Sequence, residues 1–195
     1  MGLNLDYPTD ATSLDPDEAA ALIPGHIATH HQLNEWEAAN ILKAELWLRR
    51  SRHKDLLSLD FVRLLHKRMF DETWKWAGIF RTTEKNLGID PAHIAPRTQD
   101  LCEDIKAQLT HKSLGLDEIA ARFHHRLVSI HPFANGNGRH ARLITDLLLT
   151  RNGASRFSWG QEDPAAEREL RRRYIAALKA ADQRDYGSLL AFVRS

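Results

Sequence analysis

The chain reads as an all-α protein, and three observations carry that reading. Amphipathic stripes with helical spacing recur over most of its 195 residues. Helix-start signals precede several stripes: Asp15-Pro16, Ser58 or Asp60, and Asp163-Pro164 followed by Glu167 and Glu169. The only sizeable segment without helical period runs from Lys75 to Pro96.

The elements follow in order. Residues 1–30 form an N-terminal extension: 1–15 is a Pro/Asp/Thr-rich lead, and "LDPDEAAALI" is a short helix ended by Pro24-Gly25. A long helix is predicted from about Thr29 to Arg52, with Leu33, Trp36, Ile41, Ala44 and Trp47-Leu48 as its apolar stripe. "SLDFVRLLHKRMFDE" is a third helix. "GIFRTTEKNLGID" alternates imperfectly around a turn signal at Asn86-Leu87-Gly88 and predicts a short β-hairpin or extended loop. Further helices are expected over 97–111, 117–130 and 137–151, the last stopped by Asn152-Gly153, then from Asp163-Pro164, and finally over "YGSLLAFVR". No repeat or low-complexity linker divides residues 31–195, which read as a single helical domain.

Composition narrows the function classes. There are 27 basic and 26 acidic residues, a formal net charge of +1, so nothing global favours nucleic acid or an anionic membrane as partner. The lone Cys102 excludes an internal disulfide framework. The N-terminal stretch has neither a basic head nor a long apolar core, and no apolar run approaches the roughly 20 residues that span a bilayer. A cytoplasmic protein is the expectation. His30-His31 and His124-His125 lack a Cys partner and HExxH-type spacing, so zinc is set aside. Arg171-Arg172-Arg173 follows several acids and reads as a solvated face; the five tryptophans read as core or hairpin anchors.

"SIHPFANGNGRHARLITDLLL" concentrates the chemistry. Asn137, Gly138 and Arg139 fall where a helix begins, so their backbone N–H groups lack intrahelical acceptors and the dipole favours an anion. Gly136 and Gly138 allow close approach of a ligand to the backbone. Arg139 and Arg142 are three apart and share a helix face, which would let both reach one polyphosphate. His131 ends the preceding helix and could serve as general base near neutral pH.

Residues 131–142, "HPFANGNGRHAR", resemble the Fic signature HxFx(D/E)GNGRxxR at every specified position but one. The resemblance extends over roughly residues 35–195; the "LNEWEAANI" segment is also similar to the mobile mystery protein B subgroup. It implies a Fic-type helical bundle with a β-hairpin flap at about residues 80–92 over the active site, and a protein adenylyltransferase moving AMP from ATP to a Ser, Thr or Tyr hydroxyl. His131 would be the base and Phe133 the loop's anchor. Asn135, Gly136, Asn137, Gly138, Arg139 and Arg142 would hold the phosphates, and Tyr174 and Leu178 would line an adenine pocket. Thr82, Thr83, Glu84, Lys85, Asn86, Leu87 and Gly88 would dock an extended target segment by backbone pairing.

Two departures matter. Position 135 is Asn where the family mostly has an acid holding Mg²⁺; an amide oxygen is a weaker ligand for this hard cation. The family's inhibitory Ser/Thr-x-x-x-Glu-Gly/Asn helix is not intact, leaving Glu35 or Glu37 as substitutes that could approach Arg142, or as plain helix-surface acids. Inhibition by an antitoxin-like partner, in a toxin-like module, is the other route. Alternative functions are phosphorylation or another nucleotide transfer on the same scaffold, and a non-catalytic nucleotide-binding module.

Overall fold

The structure, a computed structural model, describes residues 15–51, 53, 55–160 and 167–195. Eight α-helices are described: α1 (Pro16–Ala19), α2 (His30–Arg50), α3 (Leu59–Phe70), α4 (Ile94–His111), α5 (Leu116–Ile130), α6 (Asn137–Arg151), α7 (Glu167–Asp182) and α8 (Gly187–Arg194). The lead over 1–14 and the Asp163-Pro164 start signal lie outside the described residues.

Start signals act as read. Pro16 opens α1 behind Asp15, whose N–H donates to Glu18 Oε2 at 2.8 Å. Thr29 caps α2 by accepting from the Gln32 N–H, and Gln32 accepts from the Thr29 N–H, closing a capping box. Ser58 caps α3, accepting from the Phe61 N–H. Helix α4 starts three residues earlier than expected, behind a 3-10 turn at Pro91–His93. Pro96 sits in its first turn, where a missing N–H costs nothing, so it does not delay the helix.

Helices α5 and α6 pack on each other at the centre, with α2, α3 and α4 on one side and α7 and α8 on the other. The larger core lies among α3, α4, α5 and α6, where Leu65, Met69, Phe70, Leu101, Cys102, Phe123 and Ile144 have no exposed surface. A second core joins Leu149, Phe157, Trp159, Ala181, Leu189 and Val193. No described helix is long and apolar enough to cross a membrane.

Two expectations need correction. The buried face of α2 carries Leu33, Glu37, Asn40, Ala44 and Leu48, whereas Trp36 is 37% exposed. The stripe therefore runs through two polar side chains rather than through Trp36. The β-hairpin is also absent: among the described residues no strand forms between Phe80 and Asp90. Its limbs bond to the segment before α6 instead, the Arg81 N–H donating to Pro132 O at 3.0 Å and the Ile89 N–H to Ile130 O at 3.4 Å. The Arg81 guanidinium fills the space between the limbs, so a direct ladder between them has no room.

Candidate active site

The loop between α5 and α6 is built from buried side chains outward. His131 ends α5 in the left-handed region at φ 54°, and Gly136 precedes α6 at φ 76°. A Cβ on Gly136 would lie 2.6 Å from the Phe70 ring, so glycine here is a packing requirement. Gly138 differs: a Cβ there would meet nothing within 4 Å. Helix α6 begins without a side-chain cap, so its first N–H groups face that open space.

Phe133 anchors the loop with no exposed surface, stacked on the His66 ring at 3.6 Å and 18°. His66 belongs to no motif in the sequence. Its Nδ1 accepts from the Gly78 N–H at 3.0 Å, which fixes the proton on Nε2 for donation to Asn135 O at 3.1 Å. Burial pushes its pKa well below the usual range. His140 ties α6 to α3 by donating from Nε2 to Val62 O, and burial holds it at about 3.

Asn137 does not offer its side chain to a ligand. Its Oδ1 accepts from the Phe133 N–H at 2.9 Å and its Nδ2 donates to Phe133 O at 2.8 Å, so the amide is spent clamping the loop. Its backbone N–H remains for an anion. Asn135 Oδ1 accepts from the Gly136 N–H at 2.6 Å and faces Arg139 Nη2 at 3.5 Å. An oxygen already serving two N–H donors, one of them cationic, does not fit a resident Mg²⁺. No group of three or more His, Cys, Asp or Glu suited to a metal occurs among the described residues.

The two arginines do not converge. Arg139 turns toward α2, with Nη1 2.5 Å from Glu37 Oε2 and its guanidinium 5.0 Å from the Phe70 ring centroid. Arg142 turns toward α7, over Tyr174 at 4.7 Å and Trp159 at 5.7 Å, its buried Nε without a hydrogen-bond partner. Each guanidinium follows its own acceptor and ring neighbours, so position on a shared helix face did not fix a shared target.

Glu37 is the acid in the site. It is 3% exposed, and its Oε1 accepts from Trp74 Nε1 at 2.7 Å while Oε2 meets Arg139. It approaches the first motif arginine, not Arg142. Glu35 is a surface acid, 3.4 Å from His31 across one helical turn.

His131 is 6% exposed, and burial holds its imidazole down at about 4, with the Arg81 guanidinium acting in the same direction. It is neutral at pH 7, the form a general base requires. Gly88 of the flap region lies over it: a Cβ on Gly88 would fall 2.6 Å from His131 Cβ. Thr82, Thr83, Glu84, Asn86, Leu87 and Gly88 are exposed, while Lys85 is drawn under to Glu18 and to Asp15, the latter at 2.9 Å.

Tyr174 and Leu178 pack against the second core. The Tyr174 hydroxyl lies 2.9 Å from His124 Nε2, and its ring faces Arg142. They are packed side chains beside the motif.

A helical bundle, the uncapped start of α6 and a neutral histidine at the end of α5 make up the candidate site. The chain carries a domain of the Fic/DOC family, whose family model matches residues 56–149. Protein adenylyltransferase fic-1 of Caenorhabditis elegans is 31% identical over 186 residues, which is 91% of this chain and 34% of that protein. Its solved structure superposes at a TM-score of 0.67 with 27% identity, covering 91% of this chain and 51% of that one. The BepC protein of Bartonella tribocorum, solved with bound AMPPNP, shares the fold at a TM-score of 0.70 and 18% identity over 92% of this chain and 97% of that one. A uridine 5'-monophosphate transferase of Xanthomonas campestris is 56% identical over 41 residues, 21% of this chain and 8% of that protein. The chain spans about a third of the length of the curated adenylyltransferase it matches, at 34%.

Proposed function

We propose that this protein is a nucleotidyltransferase that moves AMP from ATP to a hydroxyl of a target protein. The observation that carries the proposal is the open, uncapped start of α6 at Gly138, in a loop that runs from a neutral His131 to Arg139. An anion there would meet helix N–H groups, the positive end of the dipole and a guanidinium. His131 takes the proton from the target's Ser, Thr or Tyr hydroxyl as its oxygen attacks the α-phosphorus. The bond from the α-phosphorus to the oxygen bridging the β-phosphate breaks, and pyrophosphate leaves with its negative charge against Arg139. Mg²⁺ belongs to the incoming ATP rather than to the protein, and no step is assigned to it.

In the conformation described, Arg139 is occupied. A carboxylate as buried as Glu37 must stay paired, and pulling Arg139 away leaves it only the Trp74 N–H. Glu37 therefore competes with the nucleotide phosphates for Arg139 and restrains the enzyme. Glu37→Gln keeps the bond to Trp74 but removes the charge; we expect nucleotide affinity, measured by calorimetry, to rise about tenfold. Unchanged affinity would discard the restraint.

The reaction is tested with ATP labelled at the α- or γ-phosphate, or UTP labelled at the α-phosphate, offered to a lysate with the Glu37→Gln protein and its His131→Ala derivative. His131-dependent label from α alone supports AMP transfer. Label from γ alone supports phosphorylation, and label only from UTP supports the UMP transfer named for the Xanthomonas relative. No His131-dependent label from any nucleotide leaves a binding module. The cytoplasmic setting, the toxin-like role, a partner that inhibits in trans and the mobile mystery protein B affinity belong to the same reading, the last resting on "LNEWEAANI".

A further inference from the structure

Arg81 is the most heavily engaged side chain near His131, and the reaction just described gives it no part. It is 5% exposed, yet its guanidinium meets three neutral backbone oxygens. Nε donates to His131 O at 2.7 Å, Nη1 to Thr83 O at 2.7 Å and Nη2 to Ile89 O at 2.5 Å. Thr83 and Ile89 stand at the two limbs of the flap, and His131 is the candidate base. One planar group thus joins both limbs to the backbone of the residue they overlie. Arginine's rigid fork suits three acceptors in different directions; a lysine ammonium on a flexible stem does not hold them in one plane.

Gly88 completes the arrangement. At φ 105° it passes so close that an added Cβ would lie 2.6 Å from both Arg81 Nη2 and His131 Cβ. The flap therefore needs glycine at its turn for the clamp to close. A buried cation bonded only to neutral carbonyls is costly to keep: burial acts to lower the Arg81 pKa, and the carboxylates of Glu18, Glu84 and Asp90 only partly offset it. That cost would not be retained for packing that an apolar side chain supplies better.

We propose that Arg81 is a positioning residue: it replaces the ladder of a hairpin with a single guanidinium and sets the flap and His131 as one unit. The partner this serves is an extended protein segment laid along residues 82–88, whose hydroxyl must arrive over His131; to that extent the inference rests on the transfer reading. The cations facing His131 are Arg81 and Lys85, and both act to keep its imidazole neutral.

The test compares wild type with Arg81→Lys, Arg81→Gln and Gly88→Ala by amide hydrogen exchange, by NMR titration of His131 and by transfer kinetics. The amides of position 81 and Ile89, which bond to Pro132 and Ile130, should exchange about tenfold faster or more, while α5 and α6 change less than about threefold. The His131 midpoint should rise in Arg81→Gln. KM for the protein target should rise about tenfold, with the dissociation constant for ATP within about threefold of wild type. Should the Arg81 variants fail to fold, Gly88→Ala opens the clamp without removing the buried charge. Wild-type protection at Ile89 and an unmoved His131 midpoint in the folded variants would overturn the proposal, as would a loosened flap with unchanged target KM. If the Glu37→Gln protein transfers nothing either, the functional reading falls, while exchange and titration still decide whether the clamp exists.

Discussion

The loop before α6 and the flap face each other across His131, and they are held in opposite ways. The loop is fixed from beneath by many independent contacts: Phe133 on His66, Asn137 on the Phe133 backbone, Gly136 against Phe70, His140 on Val62. The flap has no ladder of its own, exposes most of its side chains and depends on the Arg81 guanidinium, the Lys85 pairs and two backbone bonds, to Pro132 and Ile130. On the proposed transfer, a phosphate site would demand fixed donors, whereas a surface that receives varied backbones would gain from being held at few points. The difference between the two regions is therefore one of redundancy, and mutations or pH can be aimed at either.

Acid should strike the loop hardest. His66, His124, His131 and His140 are all held low by burial, His131 at about 4 and His124 and His140 at about 3. Unfolded, each titrates near 6.5. The folded pKa is depressed, so the stability from their neutral burial is complete above about pH 6.5 and drains as pH falls toward 4. Four protons at about 1.4 kcal/mol per pH unit give a slope of about 5.5 kcal/mol per unit once below the unfolded midpoint. Denaturant titrations between pH 7 and 5 measure it. A slope near one proton would mean these rings are not buried neutral. His131 itself stays neutral over most of the range in which the protein is folded, which is the form the proposed transfer needs.

Gly136→Ala comes next. It forces a Cβ into Phe70 at a positive φ, and we expect a loss of about 2–4 kcal/mol in denaturant melts. Gly138→Ala, two residues on, should change stability by less than about 1 kcal/mol because nothing occupies its Cβ position. Its nucleotide affinity should fall about tenfold, since the methyl fills space a phosphate would use. Equal effects from the two alanines would erase the distinction between packing glycine and ligand glycine. The smallest effect belongs to the flap: Thr82→Ala, exposed and outside the clamp, should stay within about 0.5 kcal/mol of wild type in melts.

Much of this was legible in the sequence because its signals are local. Caps, helix periods and the contiguous run from His131 to Arg142 need no knowledge of distant contacts. What stayed hidden required contacts across the chain. Glu37 and Asn40 lie on the buried face of α2, yet an apolar count passes over them and picks Trp36 instead. A polar residue spaced four from Leu33 and seven from Ala44 was the available clue. Arg81 gave no clue at all, since its three acceptors span residues 83 to 131. The motif named its members without dividing their labour: Asn137 as clamp, Gly136 as packing, Gly138 as opening, and two arginines facing different neighbours all depend on the third dimension.

Cys102 has a use beyond packing. Fully enclosed in α4, with its thiol pushed up to about 11 by burial, it is shut to alkylating reagents while the core is closed. As the chain's single cysteine, it makes each labelled molecule the record of one opening event. The protein thus carries an internal clock: the rate at which thiol reagent is consumed, followed with and without nucleotide, times how often the core opens and whether a ligand at α6 slows it.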